Sequence, residues 1–194
     1  MDIRSFLAFE LPEFVKEELS GLIRSFNRGI SKVRWVKREN MHLTVLFLGN
    51  ISEETIPAMA QDISDICKRF SPFIVRMEGV GCFPNLRNPK VIWVGIDGEI
   101  ERMAKFHESL IMNLSKYGIK QENRTYRPHL TLGRVKGNSN IKDRMVGMIS
   151  KGRDITDKEF ILQELVLFKS DLRPRGPLYT KLNSWSLLKY NMED

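Results

Sequence analysis

The sequence has few of the residues that build disulfide frameworks, metal centres or membrane spans. Its only cysteines are Cys67 and Cys82. We therefore expect no disulfide framework and no Cys-x-x-Cys metal site, and this usage favours a reducing, cytoplasmic location. No apolar run approaches the roughly 20 residues of a membrane-spanning helix, and the first residues predict a strand rather than a signal peptide. No acidic residue is spaced with a histidine as metal ligands are, so we expect no metal and no other cofactor.

The composition is that of an ordinary folded protein with an excess of positive charge. The chain has 194 residues, of which 42% are hydrophobic and 28% charged. This length predicts a single domain over residues 1–194, built as one unit or as two intimate lobes. Lys and Arg number 31 against 24 Asp and Glu, a net charge of +7. The excess favours an anionic partner, nucleic acid ahead of acidic lipid, and the alternative is a solvated basic surface.

Histidine is also scarce, yet two of the three histidines occur in the same four-residue pattern. His42-Leu43-Thr44-Val45 and His129-Leu130-Thr131-Leu132 both read His-Leu-Thr-apolar and begin 87 residues apart. Threonine accounts for only six residues of the chain, so this recurrence has a chance probability of about 0.3%. Both motifs lead into apolar runs typical of strands, on which residues two apart point to the same face. Each strand would then offer one imidazole and one hydroxyl to the same cavity.

The periodicity along the chain predicts an α+β fold. Strands are predicted at 3–9, 33–36, 41–48, 73–80, 91–96, 129–135, 158–169 and 178–188, and helices at 11–26, 52–70, 98–117 and 138–149. Several strand pairs lack an intervening helix, which argues for mixed or antiparallel sheets rather than a doubly wound fold. The spacing of the motifs suggests a duplicated fold in which each half supplies one motif strand. If two sheets face each other, with the helices outside, both histidines meet in a central cleft.

Two histidines facing one phosphodiester have the chemistry for metal-free hydrolysis. Histidine titrates near neutral pH, so one imidazole can act as a base and the other as an acid. The hydroxyls of Thr44 and Thr131 would orient non-bridging oxygens. The alternative is that both histidines only satisfy hydrogen bonds in a core. His107 has no partner spacing, and we interpret it as structural or exposed.

Further candidates lie around the second motif. A guanidinium can clamp a phosphate, and alternation places Arg127 on the face of His129. Arg134 is out of phase, but a bulge at Gly133 could re-aim it. Of the aromatic residues that could stack on a base, Phe83 is the best candidate, because it lies in a predicted loop at 81–89 rich in glycine and proline. The others are Trp35, Trp93 and Tyr126, and Trp93 is expected in the core.

With these motifs and their flanks, the sequence resembles the RNA 2′,3′-cyclic phosphodiesterase family, also called 2′-5′ RNA ligases, of the two-histidine phosphoesterase superfamily. Further stretches carry the resemblance, which covers nearly the whole chain. They are Arg4-Ser5-Phe6-Leu7-Ala8-Phe9-Glu10-Leu11-Pro12, Cys82-Phe83-Pro84-Asn85 with Pro89-Lys90-Val91-Ile92-Trp93-Val94-Gly95, and Leu167-Phe168-Lys169-Ser170 with Gly176-Pro177-Leu178-Tyr179.

The resemblance implies hydrolysis of RNA 2′,3′-cyclic phosphate ends to 2′-phosphates, without a metal, in a bilobal α+β fold with pseudo-two-fold symmetry. It implies that His42 is the proton donor to the 3′ oxygen and His129 the proton acceptor that activates water. Thr44 and Thr131 would bind the phosphate, and Arg134 corresponds to an arginine of relatives. The expected partner is therefore RNA with a cyclic phosphate end, for example derived from tRNA, and we expect a monomer that binds no membrane. Alternatives are 2′-5′ RNA ligation, a small cyclic nucleotide substrate and a non-catalytic RNA-end-binding module.

Overall fold

A computed structural model describes residues 1–27, 32–119, 125–137, 142–152, 155, 158–174 and 176–188. The strands are β1 (Asp2–Glu10), β2 (Val33–Trp35), β3 (His42–Ser52), β4 (Phe73–Phe83), β5 (Val91–Gly98), β6 (His129–Val135), β7 (Phe160–Leu162), β8 (Glu164–Asp171) and β9 (Leu178–Ser186). The helices are α1 (Glu13–Phe26), α2 (Ile56–Cys67), α3 (Ile100–Leu114) and α4 (Lys142–Lys151). The predicted start of the fourth helix at Asn138 lies outside the described residues.

The strands form one strongly curled sheet in which every pairing of the described strands is antiparallel. The strand order is β7-β4-β5-β6-β3-β1-β8-β9, and β2 pairs with β6. At the middle of this order, β3 and β6 are joined through one pair, Leu43 with Leu130. We call β6, β5, β4 and β7 the His129 half, and β3, β1, β8 and β9 the His42 half. The α+β class is confirmed, and the two expected sheets are two halves joined at this pair.

The prediction of one strand over 158–169 is wrong. The segment forms β7, which pairs with β4, and β8, which pairs with β1 in the other half. Only Gln163 separates them. One residue spans at most about 3.6 Å, so the edge of the His129 half must lie beside the His42 half. The sheet is therefore curled back on itself, which a periodicity within one segment cannot reveal.

The helices cover one face of the sheet because each presents one apolar stripe. From α1, Val15, Leu19 and Phe26 are buried, and from α3, Met103, Phe106 and Leu110 are buried. They share the main core with residues from the centre of the sheet, among them Leu7, Leu43, Ile92, Val94 and Leu130. A smaller apolar cluster consists of Phe6, Ala8, Val166 and Phe168, with Tyr179 packed against it. Because Phe6 and Ala8 alternate along β1 with Leu7 and Phe9 of the main core, this cluster lies on the opposite face of the sheet.

None of the described helices is long and apolar enough to cross a membrane.

Candidate active site

The two motifs lie next to each other at the centre of the sheet. His42 and His129 are the first residues of β3 and β6, the strands that meet at Leu43 and Leu130. Both leucines are buried in the core beneath the sheet, with exposed fractions of 0% and 1%. Alternation along each strand therefore directs His42, Thr44, His129 and Thr131 to the other side. We call this side the histidine face; all four of its residues are half-buried.

Backbone carbonyls hold both imidazoles in the same way. Nδ1 of His42 lies 2.8 Å from the carbonyl oxygen of Asn40, and Nδ1 of His129 lies 2.8 Å from the carbonyl oxygen of Arg127. A carbonyl oxygen can only accept, so Nδ1 carries the proton and donates in each ring. Nε2 of each ring is then the nitrogen that can exchange a proton with a substrate. Nε2 of His42 lies 3.1 Å from the hydroxyl of Thr44, which donates to it when the ring is neutral.

Aromatic rings from other strands of the same half of the sheet flank each imidazole. The ring of Tyr179 stands edge-on to His42 with centroids 5.2 Å apart and planes at 83°, and Phe83 stands edge-on to His129 at 5.0 Å and 84°. Phe6 also packs beside His42 at 4.8 Å, and Trp93 lies 6.4 Å from His129. These rings fix the imidazoles and remove water from their sides.

Burial keeps both imidazoles neutral in the ligand-free protein. The pKa of His42 is lowered from 6.5 to about 4, first by burial and then by the positive charge of Arg134, against the hydrogen bond to Asn40; protonation of His129 would lower it as well. The pKa of His129 is also lowered, by burial first and by the charge of Arg134. Arg134 is thus a cationic side chain whose charge acts on both histidines.

A β-bulge in β6 places the side chain of Arg134 on the same face of the sheet as His129 and Thr131. Between β5 and β6, Trp93 pairs with Thr131 but Ile92 pairs with Gly133, so Leu132 is an extra residue in β6. The extra residue reverses the alternation beyond it, which turns the exposed side chain of Arg134 to the histidine face. The equivalent position of the first motif, also beyond a register shift, is Phe47, which is 52% exposed.

The other two predicted residues lie on the far side of His129 from the first motif. Phe83 is the last residue of β4 and half-buried against His129 and Trp93, rather than in the predicted loop. The loop prediction failed because Gly81, taken as a turn residue, lies within the strand: an added Cβ there would overlap the indole of Trp93. Trp93, expected in the core, is half-buried on the histidine face. Arg127 is exposed and lines a cavity beyond His129.

Sequence reasoning missed the aromatic wall of His42. Phe6, Phe168 and Tyr179 come from three strands far apart in the chain. Alternation in β1 separates Phe6 from the core residues Leu7 and Phe9, which is a usable signal. Nothing in the sequence indicates that β8 pairs with β1 and that β9 pairs with β8. Among the described residues, no group of three or more His, Cys, Asp or Glu side chains is placed to hold a metal ion.

Comparison with known proteins gives one consistent result. A model of the 2′-5′ RNA ligase superfamily matches residues 17–174. The chain is 32% identical to the RNA 2′,3′-cyclic phosphodiesterase of Methanothermobacter thermautotrophicus, over 96% of this chain and 100% of the relative. It is 34% identical to the protein of the same name from Methanocaldococcus jannaschii, over 94% and 100%. The crystal structure of TT0787 of Thermus thermophilus superimposes with a TM-score of 0.81, at 27% identity, over 97% of this chain and 100% of that one.

Proposed function

Because this chain belongs to the 2′-5′ RNA ligase superfamily, we propose that it is an RNA 2′,3′-cyclic phosphodiesterase that forms 2′-phosphate ends. The observation that carries the proposal is the pair of imidazoles on one face, each held by a backbone carbonyl at Nδ1 so that Nε2 is left for the substrate. Relatives that align over their whole length carry the name of this activity.

In the proposed mechanism the two histidines act on opposite sides of the phosphorus atom. Nε2 of His129 takes a proton from water, and the water oxygen forms a bond to phosphorus. The bond from phosphorus to O3′ breaks, and Nε2–H of His42 gives its proton to O3′. The products are a 2′-phosphomonoester and a free 3′-hydroxyl. Exchange of protons with solvent restores both rings.

Binding of the anionic phosphate favours the protonated form of His42, which its proposed role as the acid requires. Without substrate His42 is neutral at pH 7, because its pKa is about 4. A bound phosphodiester anion offsets the charge of Arg134 and favours the protonated ring, so substrate binding raises the pKa of His42. Arg134 and the hydroxyls of Thr44 and Thr131 would bind the non-bridging oxygens and stabilise the charge that develops on them. One ring must be charged and the other neutral, so activity should follow a bell-shaped pH profile.

The test is incubation of a cyclic-phosphate oligonucleotide with the protein in EDTA, followed by identification of the product end. A 2′-phosphate end supports the proposal. A 3′-phosphate end would reverse the assignment of the leaving oxygen. Binding without any product, even at high protein concentration, would favour the RNA-end-binding module, and joining to a 5′-hydroxyl oligonucleotide would favour the ligase. The tRNA-derived substrate, the monomer and the cytoplasmic location stay predictions.

A further inference from the structure

A cavity of about 470 Å³ lies beside His129, outside the side chains assigned to the phosphate. Its lining includes Glu78, Trp93, Gly95, Tyr126 and Arg127. The volume is within the range of small-molecule sites, roughly 300 to 1,000 Å³. It is large enough for a nucleobase with part of its ribose.

The strand register connects this cavity to the catalytic centre. Glu78 pairs with Gly95 across β4 and β5, and Gly95 pairs with His129 across β5 and β6. Residues paired in this way project from the same face of the sheet, so Glu78 and His129 stand about 10 Å apart on the histidine face. Between them lies a glycine, which contributes no side chain. An added Cβ at this glycine would lie 2.5 Å from the backbone oxygen of Glu78 and 3.5 Å from Cζ3 of Trp93, so the indole borders the path from the phosphate position to the cavity.

The cavity presents one acceptor group and one donor group. Glu78 and Arg127 are both exposed, and among the described residues neither side chain has an ion pair or hydrogen bond. An ionised carboxylate can only accept hydrogen bonds, and a guanidinium can only donate them. Trp93 adds an aromatic wall. Two free polar groups beside an aromatic wall suit a planar, polar-edged ligand.

We infer that this cavity is a nucleobase subsite that selects guanine. Guanine offers two adjacent N–H groups, N1 and N2, to the carboxylate of Glu78, and two acceptors, O6 and N7, to the guanidinium of Arg127. Adenine, cytosine and uracil lack adjacent ring and amino donors. The inference rests on the proposed function, which it deepens by naming the base. It gives Arg127 a base contact instead of the phosphate contact expected from the sequence.

The guanine in this cavity could belong to either of two nucleosides. The first is the nucleoside that carries the cyclic phosphate. The second is a separate nucleoside that binds on the side of His129, where the attacking water is proposed to lie. Both place the same base in the same cavity, and two measurements separate them.

The first measurement is kcat/KM for the four 2′,3′-cyclic mononucleotides. If the terminal base occupies the cavity, the guanine substrate is preferred at least about fivefold over adenine, the lower limit for a bidentate contact. Glu78→Gln and Arg127→Gln each reduce that ratio. Glu54→Gln removes an exposed carboxylate that does not line the cavity, and it leaves the ratio unchanged.

The second measurement is inhibition of cyclic CMP hydrolysis by free guanosine and adenosine. If the base belongs to the entering nucleoside, guanosine inhibits more strongly, and Glu78→Gln removes the difference. Equal rates for all four substrates together with equal inhibition by both nucleosides would overturn the inference while leaving the proposed function intact.

A binding experiment tests the guanine subsite independently of the proposed phosphodiesterase activity. Calorimetry with guanosine and adenosine, and with their 2′-monophosphates, needs no turnover. A guanine preference that Glu78→Gln removes would support the subsite even if no cyclic phosphate were opened. Equal affinity of the guanine and adenine ligands in both comparisons would contradict it.

Discussion

At the scale of single residues, the backbone decides which histidine nitrogen is available. The carbonyl oxygens of Asn40 and Arg127 each accept from Nδ1 of the histidine two positions later. An imidazole with a free rotation and either tautomer would be a poor acid or base, whereas these rings present Nε2 in a fixed direction. The sequence predicted the two histidines and their neighbouring threonines from the repeated motif. It could not predict the carbonyl contacts, because any residue supplies a carbonyl.

Arg134 should set the pKa of both histidines. Replacing it with methionine removes a positive charge that disfavours protonation of the rings, so the pKa of each histidine should rise. For His42 the rise should be partial, from about 4 towards 6.5, because burial is the largest cause of its low pKa. The measurement is an NMR titration of the imidazole signals in the ligand-free protein. Arg127→Met is the matched control and should leave both pKa values unchanged; no change in Arg134→Met would contradict this account of its charge.

At the scale of elements, small irregularities in the strands position the site. The extra residue Leu132 in β6 turns Arg134 to the histidine face. A glycine in a strand often marks a bulge, so Gly133 indicated this one in the sequence. The corresponding extra residue in β3 is Val45, and no glycine lies beside it. Val45 is buried like an ordinary strand residue, so the sequence carried no signal for this second bulge or for the position of Phe47.

Gly133 is also needed where β2 packs against β6. A Cβ added to Gly133 would lie 2.7 Å from Cγ1 of Val33 and 2.9 Å from Cε3 of Trp35. Gly133→Ala should therefore force β2 away and lower the free energy of unfolding by about 1–3 kcal/mol, measured by urea denaturation. Gly147 lies in α4, where an added Cβ meets nothing within 4 Å. Gly147→Ala should be neutral or stabilising, and a Gly133→Ala protein as stable as Gly147→Ala would refute the packing argument.

At the scale of the whole molecule, the α+β class of the fold could be predicted from the sequence. The way in which the sheet curls back on itself could not be predicted. Local periodicity located most helices and strands, because burial of one stripe or one face determines it. The path of the chain from β7 to β8 depends on the pairings of both strands with distant partners, β4 and β1. Those pairings place Phe168 beside Phe6, near His42, and no pattern within 158–169 indicates them.

The excess of positive charge should act on RNA beyond its terminal nucleotide. With a net charge of +7, binding of a longer strand should release counterions and weaken as salt rises. We expect KM for a cyclic-phosphate oligonucleotide to rise more steeply between about 50 and 200 mM salt, a range over which such contacts weaken markedly, than KM for the matching cyclic mononucleotide. Equal salt dependence for the two substrates would mean that the protein contacts only the terminal nucleotide.

In the proposed mechanism, two histidines on one face of the sheet act as acid and base. Alanine at either position should lower kcat by about 10²- to 10⁴-fold on the normal substrate, while His107→Ala, which removes a ring stacked on Tyr126, should retain turnover.

The most direct measurement uses a cyclic substrate in which sulfur replaces the 3′ oxygen, because a thiolate leaves without receiving a proton. We expect this substrate to restore turnover to His42→Ala and not to His129→Ala. Restoration of His129→Ala alone, or equal restoration of both variants, would contradict the assignment of His42 as the acid.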